Sequence, residues 1–188
     1  PKVPEILGHS TYSTVSELPE APDLAVISVG RDRVLQILSD CIAKGIKRVI
    51  VISQGFADAD EPGKELQKEL SLLARGSGTR IVGPNTMGVL NAFNGFSTAF
   101  VDIARDPAPP GVAIVVQSGV FQVGFESFTG QLGKAIDVGN ACDLDFVDAL
   151  AYLENDPQTR LIVLHMEGMM RGRQFLSTCS RIVRKKPI

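Results

Sequence analysis

Apolar residues in this chain follow two alternating periods. Short β-rich runs, "DLAVISV", "KRVIVIS", "TRIVGPN", "GVAIVV", "KAIDV" and "RLIVLHM", read as buried strands, and each runs into a loop containing glycine, serine or asparagine. Helix-period segments separate them. Val34, Ile37, Leu38, Cys41 and Ile42 repeat at i, i+3, i+4, i+7 and i+8, and a second helix is predicted from about Lys64 to Arg75 with Leu66, Leu70 and Leu73 on one face and Gly76 as its stop. The stretch "ARDPAPPG", Ala104 to Gly111, lacks the amides that a central strand must donate and reads as a boundary between two units. Beyond it the alternation restarts with a helix from Val120 to Leu132. Two more helices follow, one turning Phe146, Val147, Leu150 and Leu153 inward, the other Phe175, Leu176, Cys179, Ile182 and Val183. The final "KKPI" looks like the opening of another strand. Strand and helix alternating almost throughout predict an α/β fold built on parallel sheets.

Composition narrows what such a fold can do. An apolar fraction of 44% over 188 residues suffices for real cores. A net charge of -2, with no long Lys/Arg stripe, argues against nucleic acid as a partner, because phosphate backbones demand concentrated positive charge. The basic "RIVRKKPI" fits a helix C-terminus, whose negative end it complements. No apolar run approaches bilayer length and the N-terminus has no signal-peptide pattern, so a cytoplasmic location is expected. Cys41, Cys142 and Cys179 are an odd number without CxxC spacing and are expected as reduced core residues.

In open parallel sheets ligands bind beyond the carboxyl ends of the strands, which directs attention to "SVGRD", "SQGFAD", "GPNTMG", "VQSGVF", "GNACD" and "HMEGM". "QSG", Gln117 to Gly119, lies between a strand and a helix; its amides could cradle a phosphate, or Ser118 could be an ordinary N-cap. Gly83 and Gly88 suit turns, and Asn85 tolerates left-handed geometry. Glu167 follows a strand directly, where a carboxylate can orient an imidazole or stand solvated as a loop acid. Asp143 and Asp145 read as caps of the helix that follows. His165 lies within a strand and reads as packed or partner-bonded, and His9 belongs to a short polar segment. Neither histidine has a triad-like Ser or Cys nearby, and no spacing fits a metal.

In this order, "ELPEAPDLAVISV", "SQGFAD", "RIVGPNTMGVLN", "GVAIVVQSG", "GNACDLDFVDALAYLENDPQTRLIVLHMEG" and "GRQFL" up to "KKPI" resemble the NDP-forming acyl-CoA synthetases, related to the α subunit of succinyl-CoA synthetase. The resemblance spans nearly the whole chain. It implies that residues 1–106 are a Rossmann-like CoA-binding domain lacking its N-terminal part, and that residues 107–188 are a flavodoxin-like ligase domain truncated at its C-terminus. It implies exchange of acyl-CoA, phosphate and nucleoside diphosphate for acid, CoA and nucleoside triphosphate, through an acyl phosphate and a phosphohistidine. The cofactors implied are coenzyme A and, in the full-length protein, a nucleoside diphosphate or triphosphate with Mg2+. The partners implied are a CoA thioester, phosphate and an ATP-grasp β subunit or fused domain, in an oligomer. By the same resemblance, Val29, Gly30, Gly55, Phe56, Pro84, Asn85 and Thr86 bind CoA, with "GPNTMG" near its thiol end. Gln117, Ser118 and Gly119 bind phosphate, Glu167 orients the phosphohistidine, and Gly139 and Asn140 form a further site loop.

Some positions depart from that pattern. Thr86 stands where relatives often carry cysteine, Gly30 where proline is frequent, and Val116 where serine often precedes Gln117, which implies weaker phosphate binding. The phosphohistidine segment is expected beyond "KKPI", and neither His9 nor His165 occupies its place, so the isolated chain is expected to be inactive. A CoA-sensing regulatory module is the alternative. A nicotinamide-binding oxidoreductase is disfavoured, because no GxGxxG follows a strand.

Overall fold

The structure, a computed structural model, describes residues 3–99, 108–130 and 132–188, with the side chains of 126–129 left aside. The residue 106 boundary and the first part of the proline-rich stretch lie outside the described residues. The chain opens with a small antiparallel ribbon, β1 (Glu5–Ile6) and β2 (His9–Ser10), and a 3-10 turn at Val15–Glu17. The first α/β unit follows as β3 (Ala25–Ile27), α1 (Arg31–Lys44), β4 (Arg48–Val51), α2 (Glu61–Ser77) and β5 (Arg80–Val82). Its three strands are parallel in the order β3-β4-β5.

The second sheet is assembled from both sides of the proline-rich stretch. β6 (Val89–Asn91) and β7 (Phe96–Ser97) precede it; β8 (Val112–Val116), α3 (Gly119–Thr129), β9 (Lys134–Asp137), α4 (Phe146–Asn155), β10 (Leu161–His165) and α5 (Gly172–Ile182) follow. The order is β10-β8-β9-β6-β7, with β10, β8 and β9 parallel and β6 and β7 antiparallel. The proline-rich stretch therefore does not separate the two sheets, because Val89, Leu90 and Asn91 pair with Ile136, Ala135 and Lys134 of β9. "TRIVGPNTMGVLN" is one strand, a turn and then a strand of the other sheet.

The cores follow the predicted periodicities. Val34, Leu38 and Cys41 of α1 and Leu70 of α2 close over Ile27, Val49, Val51 and Ile81. Phe146, Leu150 and Leu153 of α4 and Phe175 and Ile182 of α5 cover Ala113, Val115 and Ile162. Each such aliphatic side chain contributes on the order of 2 kcal/mol when withdrawn from water. Phe146 and Phe175 meet edge to face, with ring centroids 6.4 Å apart.

Several expectations are corrected. Helix α2 starts earlier, at Glu61, because Asp60 caps it by accepting from the Gly63 amide. It runs through Gly76 and stops at Gly78, which takes the left-handed conformation. Leu176 on α5 and Val183 just past its end face solvent at 66% and 53% exposure, and Thr178 takes the inward place beside Phe175 and Ile182. Cys41 and Cys142 are buried, Cys179 is half-buried, and all three are free thiols. The Ile162 amide donates to the Pro187 carbonyl at 3.0 Å, so "KKPI" does draw alongside the edge strand β10. No helix among the described residues is long and apolar enough to cross a membrane.

Candidate active site

The loops at the carboxyl ends of the two sheets face one another. On the first sheet, Ser53 joins the turn after β3 to the turn after β4. Its hydroxyl accepts from the Val29 amide at 3.1 Å and donates to the Val29 carbonyl at 2.6 Å, while its own carbonyl accepts from the Asn85 amide at 2.9 Å. Arg31 donates to the Gly55 carbonyl at 2.7 Å and pairs with Asp60 at 2.9 Å, fixing the "QGF" turn against α1. The loops expected to hold CoA are thus one hydrogen-bonded rim. Gly30 is exposed, and Val29, Gly55 and Asn85 are half-buried. Phe56 is fully buried in the core, so only its backbone can meet a ligand. Pro84, joined to Gly83 by a cis peptide, is buried as well.

The "GNACD" loop of the second unit closes on this rim. The Asn140 amide donates to the Pro84 carbonyl at 2.9 Å, and its side-chain amide donates to Asp58 at 2.6 Å and Gln67 at 2.9 Å. Burial would raise the Asp58 pKa, yet the Asn140 amide and nearby backbone amides hold it below the usual carboxylate value. From there the loop runs antiparallel to β5: Cys142 N donates to Gly83 O at 3.0 Å and Leu144 N to Ile81 O at 3.1 Å. Asp143 is not a helix cap, which corrects the sequence reading. Its carboxylate accepts from the Ile81 amide at 2.8 Å and from Arg80 Nε at 2.9 Å. Asp145 is the cap of α4, in a capping box with Asp148, and Arg171 bridges the two carboxylates.

At the second sheet, Val116 lies in register with His165 on one side and Asp137 on the other, so the loops after β8, β9 and β10 emerge side by side. The Ser118 amide makes no hydrogen bond among the described residues, and α3 begins at Gly119. First-turn amides have no intrahelical partner, so this helix start can accept an anion. The Gln117 side chain does something else. Its Oε1 accepts from the amides of Glu167 at 2.6 Å and Gly168 at 2.9 Å, which pins the turn after β10. Glu167 itself is exposed. His165 is stacked on Phe121 with centroids 3.6 Å apart, and its Nδ1 is buried without a partner among the described residues, which fits the packed reading. His9 stands exposed on β2. Among the described residues no group of three His, Cys, Asp or Glu could hold a metal.

One residue at this centre carried no prediction. Asp137, 1% exposed at the end of β9, accepts from the Met87 amide at 2.8 Å and from the Gly139 amide at 3.0 Å. Its backbone carbonyl accepts from the Thr86 hydroxyl, and its amide donates to the Gly88 carbonyl at 2.9 Å. Thr86 is buried by the same contacts and also accepts from the Gly88 amide at 2.8 Å. Burial raises the affinity of Asp137 for a proton, the Met87 and Gly139 amides and the Thr86 hydroxyl oppose this, and the charge of Glu167 adds to it. An acid closing the apolar run "KAID" just before a glycine turn was the available signal.

Two units joined through loops at their sheet ends, one with a nucleotide-style α/β layout and one with an anion-ready helix start, define the class. Residues 1–92 match the family model of the CoA binding domain, and residues 109–188 match that of the succinyl-CoA ligase like flavodoxin domain. The chain belongs to the NDP-forming acyl-CoA synthetases. It is 36% identical over 98% of its length to the α subunit of an ADP-forming acetate–CoA ligase II of Pyrococcus furiosus, and 34% identical over its full length to an ADP-forming acetate–CoA ligase I of Archaeoglobus fulgidus. Among solved structures it resembles the dinucleotide-forming acetyl-coenzyme A synthetase 1 of Ca. Korarchaeum cryptofilum in complex with phosphate and ADP, with TM-score 0.90, 35% identity and 99% of this chain covered. It spans 40% of the first, 28% of the second and 40% of the third.

Proposed function

We propose that this chain is the CoA-binding and acyl-phosphate part of an NDP-forming acyl-CoA synthetase acting in the cytoplasm. The observation that carries the proposal is the meeting of the "GPNTMG" and "GNACD" loops with the Ser118 amide, unbonded among the described residues, and the exposed Glu167 carboxylate at adjoining sheet ends. In this reading residues 1–106 carry the CoA unit and residues 107–188 the ligase unit, with β6 and β7 of the first completing the sheet of the second. The backbone of Val29–Gly30 and Gly55–Phe56, together with Pro84, Asn85 and the Thr86–Gly88 turn, holds CoA, which supplies the thiol that carries the acyl group.

Phosphate attacks the thioester carbonyl beside the α3 N-terminus. The carbon–sulfur bond breaks, CoA leaves with a proton and an acyl phosphate remains. The Ser118 and Gly119 amides hold the phosphoryl oxygens, and their alignment with the helix dipole lowers the cost of the charge. A histidine outside residues 1–188 takes the phosphoryl group as the phosphorus–oxygen bond of the acyl phosphate breaks and the acid leaves as its carboxylate; Glu167 fixes the histidine tautomer and stabilises its imidazolium form, and an ATP-grasp subunit or domain, where Mg2+ would offset the phosphate charge, passes the phosphoryl group to a nucleoside diphosphate. Gln117 enters as the residue that orients the Glu167 turn through Oε1.

Glu167→Gln in the intact synthetase tests this reading. The amide keeps the shape but loses the charge, so labelling of the histidine from radioactive nucleoside triphosphate should slow at least ~100-fold with an unchanged thermal melt. Wild-type labelling by a normally folded variant removes Glu167 from the mechanism.

A further inference from the structure

We infer that Asp137 is a positioning residue: its carboxylate holds the Thr86–Gly88 turn and the Gly139–Asn140 turn together and, through Met87, sets the start of α3. The inference rests on the reading of these turns as the CoA and phosphate sides of one site.

The geometry demands a two-sided acceptor. Met87 N and Gly139 N are both donors, and they reach opposite oxygens of one carboxylate at 2.8 Å and 3.0 Å. An ionised carboxylate has acceptors on both oxygens and no donor, whereas an asparagine of the same shape offers one acceptor and one donor. The backbone of Asp137 meets the same turn twice more, through Thr86 and Gly88. No ion pair compensates the charge among the described residues, and burying an unpaired carboxylate is costly. A carboxylate retained there is explained by the bonds it alone can make.

The hold extends to the helix. A Cβ on Gly119 would lie 2.5 Å from Cγ and Sδ of Met87 and 3.6 Å from Oδ2 of Asp137. The first residue of α3 therefore rides directly on the Met87 side chain, whose backbone Asp137 fixes. A shift of Met87 is passed to the amides that face the phosphate site. Of the groups around Asp137, Glu167 from the turn after β10 is the titratable one that acts on it. Thr86 and Met87, Val116 of β8 and Gly119 of α3 carry no charge, and His165, two strands away in the same register row, is stacked on Phe121. Protonation turns one oxygen into a donor aimed at an amide, so it releases one turn.

The test uses Asp137→Asn in two forms of the protein. In this chain, exchange of the Met87 or Gly139 amide should quicken about tenfold or more, because one of them now faces an NH2 group. In the intact synthetase, kcat/KM for CoA should fall about tenfold or more, KM for the nucleoside diphosphate should hold, and the acid limb of the kcat/KM profile should move. Unchanged exchange at both amides overturns the inference, and so does a lowered melting temperature with unaltered kinetic constants. Should the variant not fold, wild-type NMR decides: the Asp137 carboxyl and the two amides should titrate with one midpoint, and separate midpoints overturn the inference. An intact wild-type protein without synthetase activity defeats the proposed function, while the exchange arm still judges Asp137.

Discussion

Replacing Gly139 by alanine probes the joint between the two units directly. A Cβ there would stand 2.4 Å from the Pro84 carbonyl oxygen, 2.5 Å from the Asn85 carbonyl oxygen and 2.9 Å from the Asn85 carbonyl carbon. All three are backbone atoms, and the Pro84 oxygen is held by the Asn140 amide at 2.9 Å, so no side chain can swing away. Gly139 also has φ +53°, a region that costs a residue with a Cβ about 1–2 kcal/mol. Overpacking adds about 1–3 kcal/mol, giving a loss of roughly 2–5 kcal/mol. For a chain of this size that lowers Tm by roughly 4–20 °C. The matched control is Gly76→Ala in α2, where a Cβ meets nothing within 4 Å. It lies inside a helix and should gain about 0.5–1 kcal/mol. Urea unfolding of both variants beside wild type measures the difference. A Gly139→Ala loss under about 0.5 kcal/mol refutes the reasoning, since it means the "GPN" and "GNA" turns part without cost.

Acid sensitivity should report Glu154. Arg181 and then Lys185 hold its carboxyl at about 2 against an ordinary 4.5, so the stability it contributes is present above the ordinary value and is lost as pH falls towards 2. Glu154→Gln should flatten the acid limb of a stability–pH curve in that window, and an identical limb in the variant rules the contribution out. The thiols should divide by burial. Cys142 is pushed up to about 12 by burial, with Asp143 adding to the effect, so in the native chain a disulfide reagent should label half-buried Cys179 well before it labels Cys142, as read by mass spectrometry. Equal rates under native conditions would contradict the packing of the "GNACD" loop.

Periodicity revealed those parts of the fold that repeat. The i, i+3, i+4 spacing of Val34, Leu38 and Cys41 and the apolar run "GVAIVV" depend on local geometry, and both emerged as read. Leu176 and Val183 were misread because a helix wheel does not show how wide a stripe the neighbours cover; the covered stripe holds Phe175, Thr178 and Ile182, with Cys179 half-buried at its margin. Gly76 was misread because an interior glycine and a stop glycine look alike until the left-handed turn at Gly78 is seen. In the site, loop positions were legible and side-chain duties were not. Gln117 and Asp143 spend their polar atoms on backbone amides far away in sequence, and Asp137 acts across a gap of fifty residues to Met87. Such pairings exist only after the sheets are laid down.

The two cores also share material in a way that bears on the site. β5 is the edge of a three-stranded sheet and would present unpaired amides and carbonyls on its outer side. The outer side is covered by Cys142, Asp143 and Leu144, which bond Gly83 and Ile81 and send Cys142 into the first core. In return β6 and β7, from before the proline-rich stretch, finish the second sheet. Each unit thus supplies the edge the other lacks, and the exchange occurs around "GPNTMG" and "GNACD". Opening the site would strip both edges at once, leaving the amides of Ile81 and Cys142 without their present partners. The two loops are therefore held as one body, and the proposed chemistry, in which a thioester and a phosphate meet there within bonding distance, needs that fixed spacing.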